Sequence, residues 1–497
     1  MAVVHIWAGG HYGAFRNELY FLVCGWHPAF GYVDQPPLVP LIAAATQVAG
    51  IHVALLRLPA ILAAVALVPL TVAFAQLLGA GTRGAWLAAV ANASATMLTA
   101  MFANLSTSTF EPLTFTAVAY LIARAHLRDE PGLYKWAGLV AGLSFETRYG
   151  ILMWAVGLLA GILIAGPRSI LRSRDLWIGA GIAALIALPN AIWQAVHGFP
   201  FLELVRNDNS GNFIGTPAGF VLQQVLLLNV VLAPLWLTGV FAPFFSARLH
   251  PARFLSIAFI VTAIIVLGSH GKAYYMSAAY PTMFAVGAAA VTKLWRWVVA
   301  LWAVLAALNA IPALPFVMAL EPPAKLKYTI DHSPFKMPPM ERAGIGAPLM
   351  QTLSDQFGWR ELGQTVTTVY NNLPAQQRRA AAIWASNYGE ASAIDVYGRG
   401  LPPALSGNNQ FYLWGTHGFD GSVVLAVNGD PDEWAQLCSS SRVVATFGTS
   451  PYAMPYETHR PIVLCLGMHE PLDRVWPRFK QYGIENLGQR PVDKRRF

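Results

Sequence analysis

LPAILAAVALVPLTVAFAQLLG, residues 58–79, runs for 22 positions without a charged side chain. A helix needs about 20 largely apolar residues to cross the hydrocarbon core of a bilayer. Lipid offers no water to backbone amides, so the run must satisfy them internally and reads as a transmembrane helix. Nine further segments approach that length: 85–101, 110–123, 136–147, 149–166, 176–196, 217–241, 254–268, 274–291 and 297–320. The segment 136–147 is short for a perpendicular span and reads as extending back toward Tyr134. Composition agrees. Hydrophobic residues make up 55% of the 497 and charged residues 12%, about half the charged share usual for a soluble chain; mean hydropathy is +0.46. Charge is sparse from Leu58 to Leu320 and returns to ordinary density at Glu321.

The lysines and arginines between the spans orient them. With alternating loops, one side receives Arg83, Arg124, Arg128, Lys135, Arg168, Arg172, Arg174, Arg248, Arg253, Lys293 and Arg296, and the other only Arg148, Arg206 and Lys272. Basic loops stay in the cytoplasm, so the second side faces outward. The chain then divides into a first outer loop, residues 1–57, a multi-span membrane domain, 58–320, and a soluble C-terminal domain, 321–497, outside the membrane. The expected fold is a polytopic α-helical membrane domain of about ten spans followed by a soluble α/β domain. Residues 1–10, MAVVHIWAGG, are too short to span and lack the basic start and cleavage site of a signal peptide. A first transmembrane helix ahead of them is therefore expected to be missing. The net charge of +8 sits in short loops rather than on a basic stripe with interleaved aromatics, so it speaks for membrane orientation and against nucleic acid.

The outer loops carry the chemistry. Arg16, Glu18 and Asp34 lie in the first, Glu111 in the second, Glu146 and Arg148 in the third, and His270 and Lys272 in the last. Away from the outer ends, no Asp, Glu, Lys, Arg or His stands in mid-span. An ion-coupled transporter uses such groups near the midplane, which weakens a lipid or solute transporter reading. A site between lipid and water suits transfer of a sugar from a polyprenyl phosphate to a hydroxyl. That reaction needs a carboxylate to take the acceptor proton and cations to stabilise the departing phosphate. Glu18, Asp34 and Glu111 are candidates for the first role; Lys272, Arg148 and Arg16 for the second. Each has a plainer alternative. Glu18 can pair with Arg16 and cap a short helix, and Asp34 can start the turn before Pro36-Pro37. Glu111 can sit at a helix N-terminus with Pro112 at the first turn, and Lys272 can snorkel to headgroups. His11, His27 and His270 show no metal-ligand spacing, so no metal is assigned.

Three stretches resemble the bacterial branch of the lipid-phosphate-sugar-dependent glycosyltransferases of the GT-C fold, family 39 type. These are relatives of the protein O-mannosyltransferases and of the lipid A aminoarabinose transferase. The stretches are Asn17-Glu18-Leu19-Tyr20, Tyr32-Val33-Asp34-Gln35-Pro36-Pro37-Leu38 and Gly271-Lys272-Ala273-Tyr274-Tyr275 with Tyr280-Pro281. Further likeness lies in Ala385–Ala391, Ser406-Gly407-Asn408-Asn409 and Pro451–Glu457. The resemblance implies a bacterial inner-membrane enzyme with no cofactor, a lipid-linked sugar as donor, and an envelope glycan, lipid or protein as acceptor. It also implies that Arg16, Asn17, Tyr20, Arg148, Lys272, Tyr274 and Tyr275 contact substrate. The family's first acidic residue, taken as its base, is Asn17 here, and an amide cannot accept the proton. The second outer loop usually offers an Asp near the helix start, where the nearest acid here is Glu111. Either Glu18 or Asp34 serves as base, or the chain is a non-catalytic binding or assembly partner.

In the soluble domain, Glu321-Pro322-Pro323 and Met337-Pro338-Pro339 read as linker. Helices are expected near 358–373, 389–398 and 431–438. Strands are expected at 380–385, 410–414, 422–427, 442–447 and 461–466. Cys438 and Cys465 either bond in an oxidising compartment or sit as two small buried hydrophobes. By position alone, the domain is a lid or acceptor-binding module.

Overall fold

The computed structural model describes residues 2–211, 216–333 and 344–483. Met337-Pro338-Pro339 lies outside them. Residues 58–79 form the helix Leu58–Leu77, and 176–196 the helix Arg174–Val196, whose Leu185, Leu188 and Ile192 face outward as lipid contact requires. Helices Leu133–Phe145, the one expected to reach back toward Tyr134, and Arg174–Val196 pack closely, because a Cβ on Gly138 would collide with the backbone of Gly179.

The helices support the membrane domain but fewer unbroken spans than the ten expected. Among the described residues, four helices are long and apolar enough to cross a membrane: Val53–Leu77, Arg174–Val196, Ala247–Gly268 and Arg296–Val317. A fifth candidate, 217–241, is broken: Pro217–Leu226 meets Val230–Phe245 at 94°. The break falls at Asn229, whose φ is 151°. Its amide oxygen accepts from the Val231 N–H at 3.0 Å while its nitrogen donates to the carbonyls of Ser94 and Ala306 on neighbouring helices, the kind of substitution that lets irregular backbone persist inside a membrane protein. The segment 85–101 breaks at Ala95 into Thr82–Ser94 and Thr96–Met101, and 274–291 begins with the 3-10 turn Ala273–Ala279 before Tyr280–Ala290. Apolar length alone does not see these breaks.

Two pairs of the loops assigned to the basic side meet in the fold. At one end, Lys135 pairs with Asp175 at 3.0 Å, and Arg248 donates to the carbonyls of Gly79, at 3.1 Å, and Ala289. Exposed Trp86, Trp136, Trp177, Trp295 and Trp297 lie within three residues of Arg83, Lys135, Arg174 and Arg296, as an interfacial aromatic belt does. At the other end, Arg148 meets Glu111, while the soluble domain docks through Lys480–Glu203 at 2.7 Å and Asn207 to the Tyr482 carbonyl at 2.8 Å.

The C-terminal domain holds one five-stranded sheet in the order β2-β1-β3-β5-β4, with β1 Ala381–Ala385, β2 Ala404–Leu405, β3 Val423–Val427, β4 Cys438–Phe447 and β5 Arg460–Met468. β2, β1 and β3 are parallel, and β5 runs antiparallel to both its neighbours, β3 and β4. Helices Trp359–Asn371 and Tyr388–Tyr397 cover one face, and Pro431–Leu437 leads into β4. The strand expected at 410–414 is instead the short helix Gln410–Trp414. Its aromatics do not alternate between two sheet faces: Phe411 packs toward Tyr20 and Trp414, and Tyr412 stacks on Trp476. Cys438 and Cys465 form a disulfide with Cα atoms 5.7 Å apart.

Candidate active site

A cavity of about 1000 Å³ opens between the membrane helices and the soluble domain. Arg16 and Asn17 reach it from the first turn of the helix Arg16–Trp26, and Asp34 and Gln35 from the turn before Pro36-Pro37. Arg148 comes from the loop before Ile151–Ile164, and Lys272, Tyr274 and Tyr275 from the start of the 3-10 turn. The cavity continues into an apolar wall of Met97, Met101, Leu152, Met153, Leu226 and Val230, beside the broken helix.

Asp34 is a half-buried carboxylate of the cavity, whose lining also includes Asp208. Tyr20 donates to Asp34 Oδ1 at 2.8 Å and Asn409 to its Oδ2 at 3.5 Å. Burial pushes its carboxyl up to about 6, against the opposing pull of the Tyr20 hydrogen bond. Asn17 accepts a 2.8 Å hydrogen bond from the Tyr388 hydroxyl, so its oxygen is occupied. Arg16 is held by the Tyr456 hydroxyl at 2.6 Å and by Asp355 at 3.6 Å, and lies over the Tyr388 ring. Arg148 pairs with Glu111 at 3.1 Å and stacks over Tyr275 with its guanidinium carbon 4.2 Å from the ring centre. Gly150 makes room for this pair, since a Cβ there would strike the Glu111 carboxylate.

Seven of the residues expected from sequence thus share the cavity: Arg16, Asn17, Asp34, Arg148, Lys272, Tyr274 and Tyr275. Tyr20 and Glu111 stand one layer behind it, each bonded to a lining residue. Glu18 does not join them. It is fully buried and takes Arg57 in a two-pronged ion pair, Nε to Oε1 and Nη2 to Oε2, both at 2.9 Å. The partner is Arg57, not the Arg16 considered from sequence; Arg16 points along the first turn toward the soluble domain instead.

Sequence reasoning missed Arg57, Gln35, Tyr388 and Asn409. Arg57 carried a signal: a lone arginine at the outer mouth of a span, on the side poor in basic residues, calls for a buried acid. Gln35 carried little, sitting unremarked inside the Asp-x-Pro-Pro stretch. It is 1% exposed, lines the cavity, and neither polar atom of its amide has a hydrogen-bond partner among the described residues. Buried amides are rarely left so, and those that are tend to await a ligand or water. No group of three or more His, Cys, Asp and Glu among the described residues has the arrangement of a metal site.

Residues 34–193, which include Asp34, Glu111 and Arg148, match the family model described as dolichyl-phosphate-mannose-protein mannosyltransferase. That match covers about a third of the chain, from the turn holding Asp34 to the helix Arg174–Val196. Among solved structures, the chain is similar to ArnT from Cupriavidus metallidurans bound to undecaprenyl phosphate, with a TM-score of 0.62 at 14% identity, over 93% of this chain and 96% of that one. The apo state of the same protein gives 0.60 at 13% identity, over 93% and 95%. No curated protein matches the chain.

Proposed function

We propose that this protein is a membrane glycosyltransferase that moves a sugar from a polyprenyl-phosphate donor to an acceptor hydroxyl of the bacterial envelope. The observation that carries the reading is one cavity that joins a half-buried carboxylate, Asp34, to the cations Arg148 and Lys272 and then runs into an apolar wall. An apolar wall suits a prenyl chain, and the cations suit its phosphate. The match to a structure holding undecaprenyl phosphate supports the same donor class.

In the proposed step, Asp34 takes the proton from the acceptor hydroxyl as its oxygen bonds to the anomeric carbon. The bond from that carbon to the phosphate oxygen breaks on the opposite face, with inversion. Its electron pair leaves on the phosphate, where Arg148 and Lys272 offset the growing charge. Glu111 holds Arg148 in place, and the soluble domain faces outward over the site. The test is to incubate purified protein with lipid-linked sugar and envelope acceptors and follow release of polyprenyl phosphate. Flux of an unmodified substrate without release would indicate a transporter instead.

Asp34 works only when ionised, and its carboxyl is pushed up to about 6. Transfer is therefore expected to fall about tenfold per pH unit below that value and to level above it. A rate flat from pH 5 to 7, with chemistry limiting, would remove Asp34 from the role.

A second reading is favoured by Asn17, an amide where the resemblance leads one to expect an acid. A non-catalytic assembly partner would gain activity when Asn17→Asp restores the carboxylate. If Asp34 is the base, the same change adds a like charge to the cavity, slows transfer and moves the acidic limb to higher pH.

A further inference from the structure

The loop Ser406-Gly407-Asn408-Asn409-Gln410 of the soluble domain is not used by the function proposed above, yet it lies against the Asp34 carboxylate. Asn409 stands at φ 47° and ψ −129°, a backbone region that suits glycine and strains other residues. Its side chain explains why glycine is not there. Asn409 Oδ1 accepts from the Gly483 backbone N–H at 2.9 Å. That group can only donate, so the amide direction is fixed and Nδ2 is aimed at Asp34 Oδ2. The 3.5 Å separation is long, as catalytic hydrogen bonds often are before substrate arrives.

The other carboxylate oxygen is set by the next residue. The Gln410 backbone N–H donates to the Tyr20 hydroxyl oxygen at 3.2 Å, which leaves Tyr20's own proton for Asp34 Oδ1. Gln410 Oε1 also accepts from the Val33 N–H at 3.1 Å, gripping the backbone beside Asp34. Asn408 anchors the loop from behind, donating to the carbonyls of Gln481 and Gly483 and accepting from the Tyr388 N–H.

We infer that Asn409 is a positioning residue for sugar transfer: through its side chain and the Gln410 amide, the soluble domain aims both oxygens of Asp34 at the acceptor hydroxyl. The domain is then part of the reaction centre's wall rather than only a cover. The inference rests on Asp34 being the base. The titratable groups around Asp34 are Tyr20 and Cys24 on the helix Arg16–Trp26, Tyr149 beside Arg148, and Asp208 on Pro200–Gly211. Burial and the Asp208 charge disfavour the ionised carboxylate; the Tyr20 and Asn409 hydrogen bonds favour it. Removing Asn409's donor therefore raises the pH at which Asp34 ionises.

The decisive variant is Asn409→Gly, which deletes the amide while relieving the backbone; its thermal unfolding midpoint in detergent is expected to fall only modestly, the relieved strain partly offsetting the Gly483 N–H left without its acceptor. Its kcat should drop about tenfold or more, with KM changed less than about twofold, and its acidic limb should rise by about one pH unit. Tyr20→Phe, which removes the other donor, should move the limb the same way, and Asn409→Asp should move it further. A stable Asn409→Gly protein with the parent's kcat and acidic limb overturns the inference. If Asp34→Asn leaves transfer intact, the base assignment itself falls, whatever Asn409 does.

Discussion

Asp34→Asn is expected to cut kcat by about 10²–10⁴, the range contributed by a positioned general base. That corresponds to about 3–5 kcal/mol of transition-state stabilisation. The exchange keeps volume and leaves an oxygen for the Tyr20 hydroxyl. It also sets a donor against the Asn409 amide, whose direction is fixed by the Gly483 N–H. For that reason Asp34→Ala is a needed companion: it removes the donor clash and the base together, and small carboxylates such as formate should restore part of its rate inside a cavity of about 1000 Å³. The alternative role, a turn residue before Pro36-Pro37, predicts a different pattern. Both variants would then lose thermal stability and substrate affinity, with kcat of the folded fraction preserved. The base assignment does not survive that outcome.

Glu18 is expected to fail in the opposite manner. Its Oε1 accepts from Arg57 Nε and the Leu105 N–H, and its Oε2 from Arg57 Nη2 and the Phe15 N–H, all within 2.9 Å. Arg57 goes on to the carbonyls of Gly9 and Gly13, both at 3.0 Å, and to the Gln356 amide oxygen at 3.2 Å. One ion pair thus ties the N-terminal segment, the helix Arg16–Trp26, the Leu105 loop, the first long span and the entry to the soluble domain. Breaking a buried pair from one side strands the other charge and costs about 3–5 kcal/mol. Glu18→Gln and Arg57→Gln should each lower the unfolding midpoint in detergent sharply. Their effects should be strongly non-additive in the double variant, since the second change removes the charge the first left alone. The folded fraction of Glu18→Gln should turn over near the parent's kcat. A normally folded Glu18→Gln protein that is nearly inactive would instead make Glu18 the base and displace Asp34.

Much of the fold was legible because hydropathy is a local, additive property. The apolar run 58–79 became the helix Leu58–Leu77. The same summation passed over Ala95 and Asn229, where the helices break, because a break is stabilised by distant carbonyls such as those of Ser94 and Ala306. In the C-terminal domain, 380–385, 422–427, 442–447 and 461–466 read as strands and each overlaps one, whereas 410–414, equally rich in strand-favouring aromatics, has no sheet neighbour to pair with.

The sequence by itself determined that an apolar helical body keeps its charges in the loops, with the basic ones concentrated on one set, since charge rests poorly in the hydrocarbon. Which of those charges face a substrate was decided only by tertiary structure. Asp34 and Glu18 look alike along the chain, but one lines a cavity and the other is consumed by Arg57, 39 residues away. Asn409 reaches Asp34 across 375 positions. Ion pairs and aimed hydrogen bonds fall off within a few ångströms, so their partners are chosen by where the folded chain brings them, and spacing along the sequence does not carry that information.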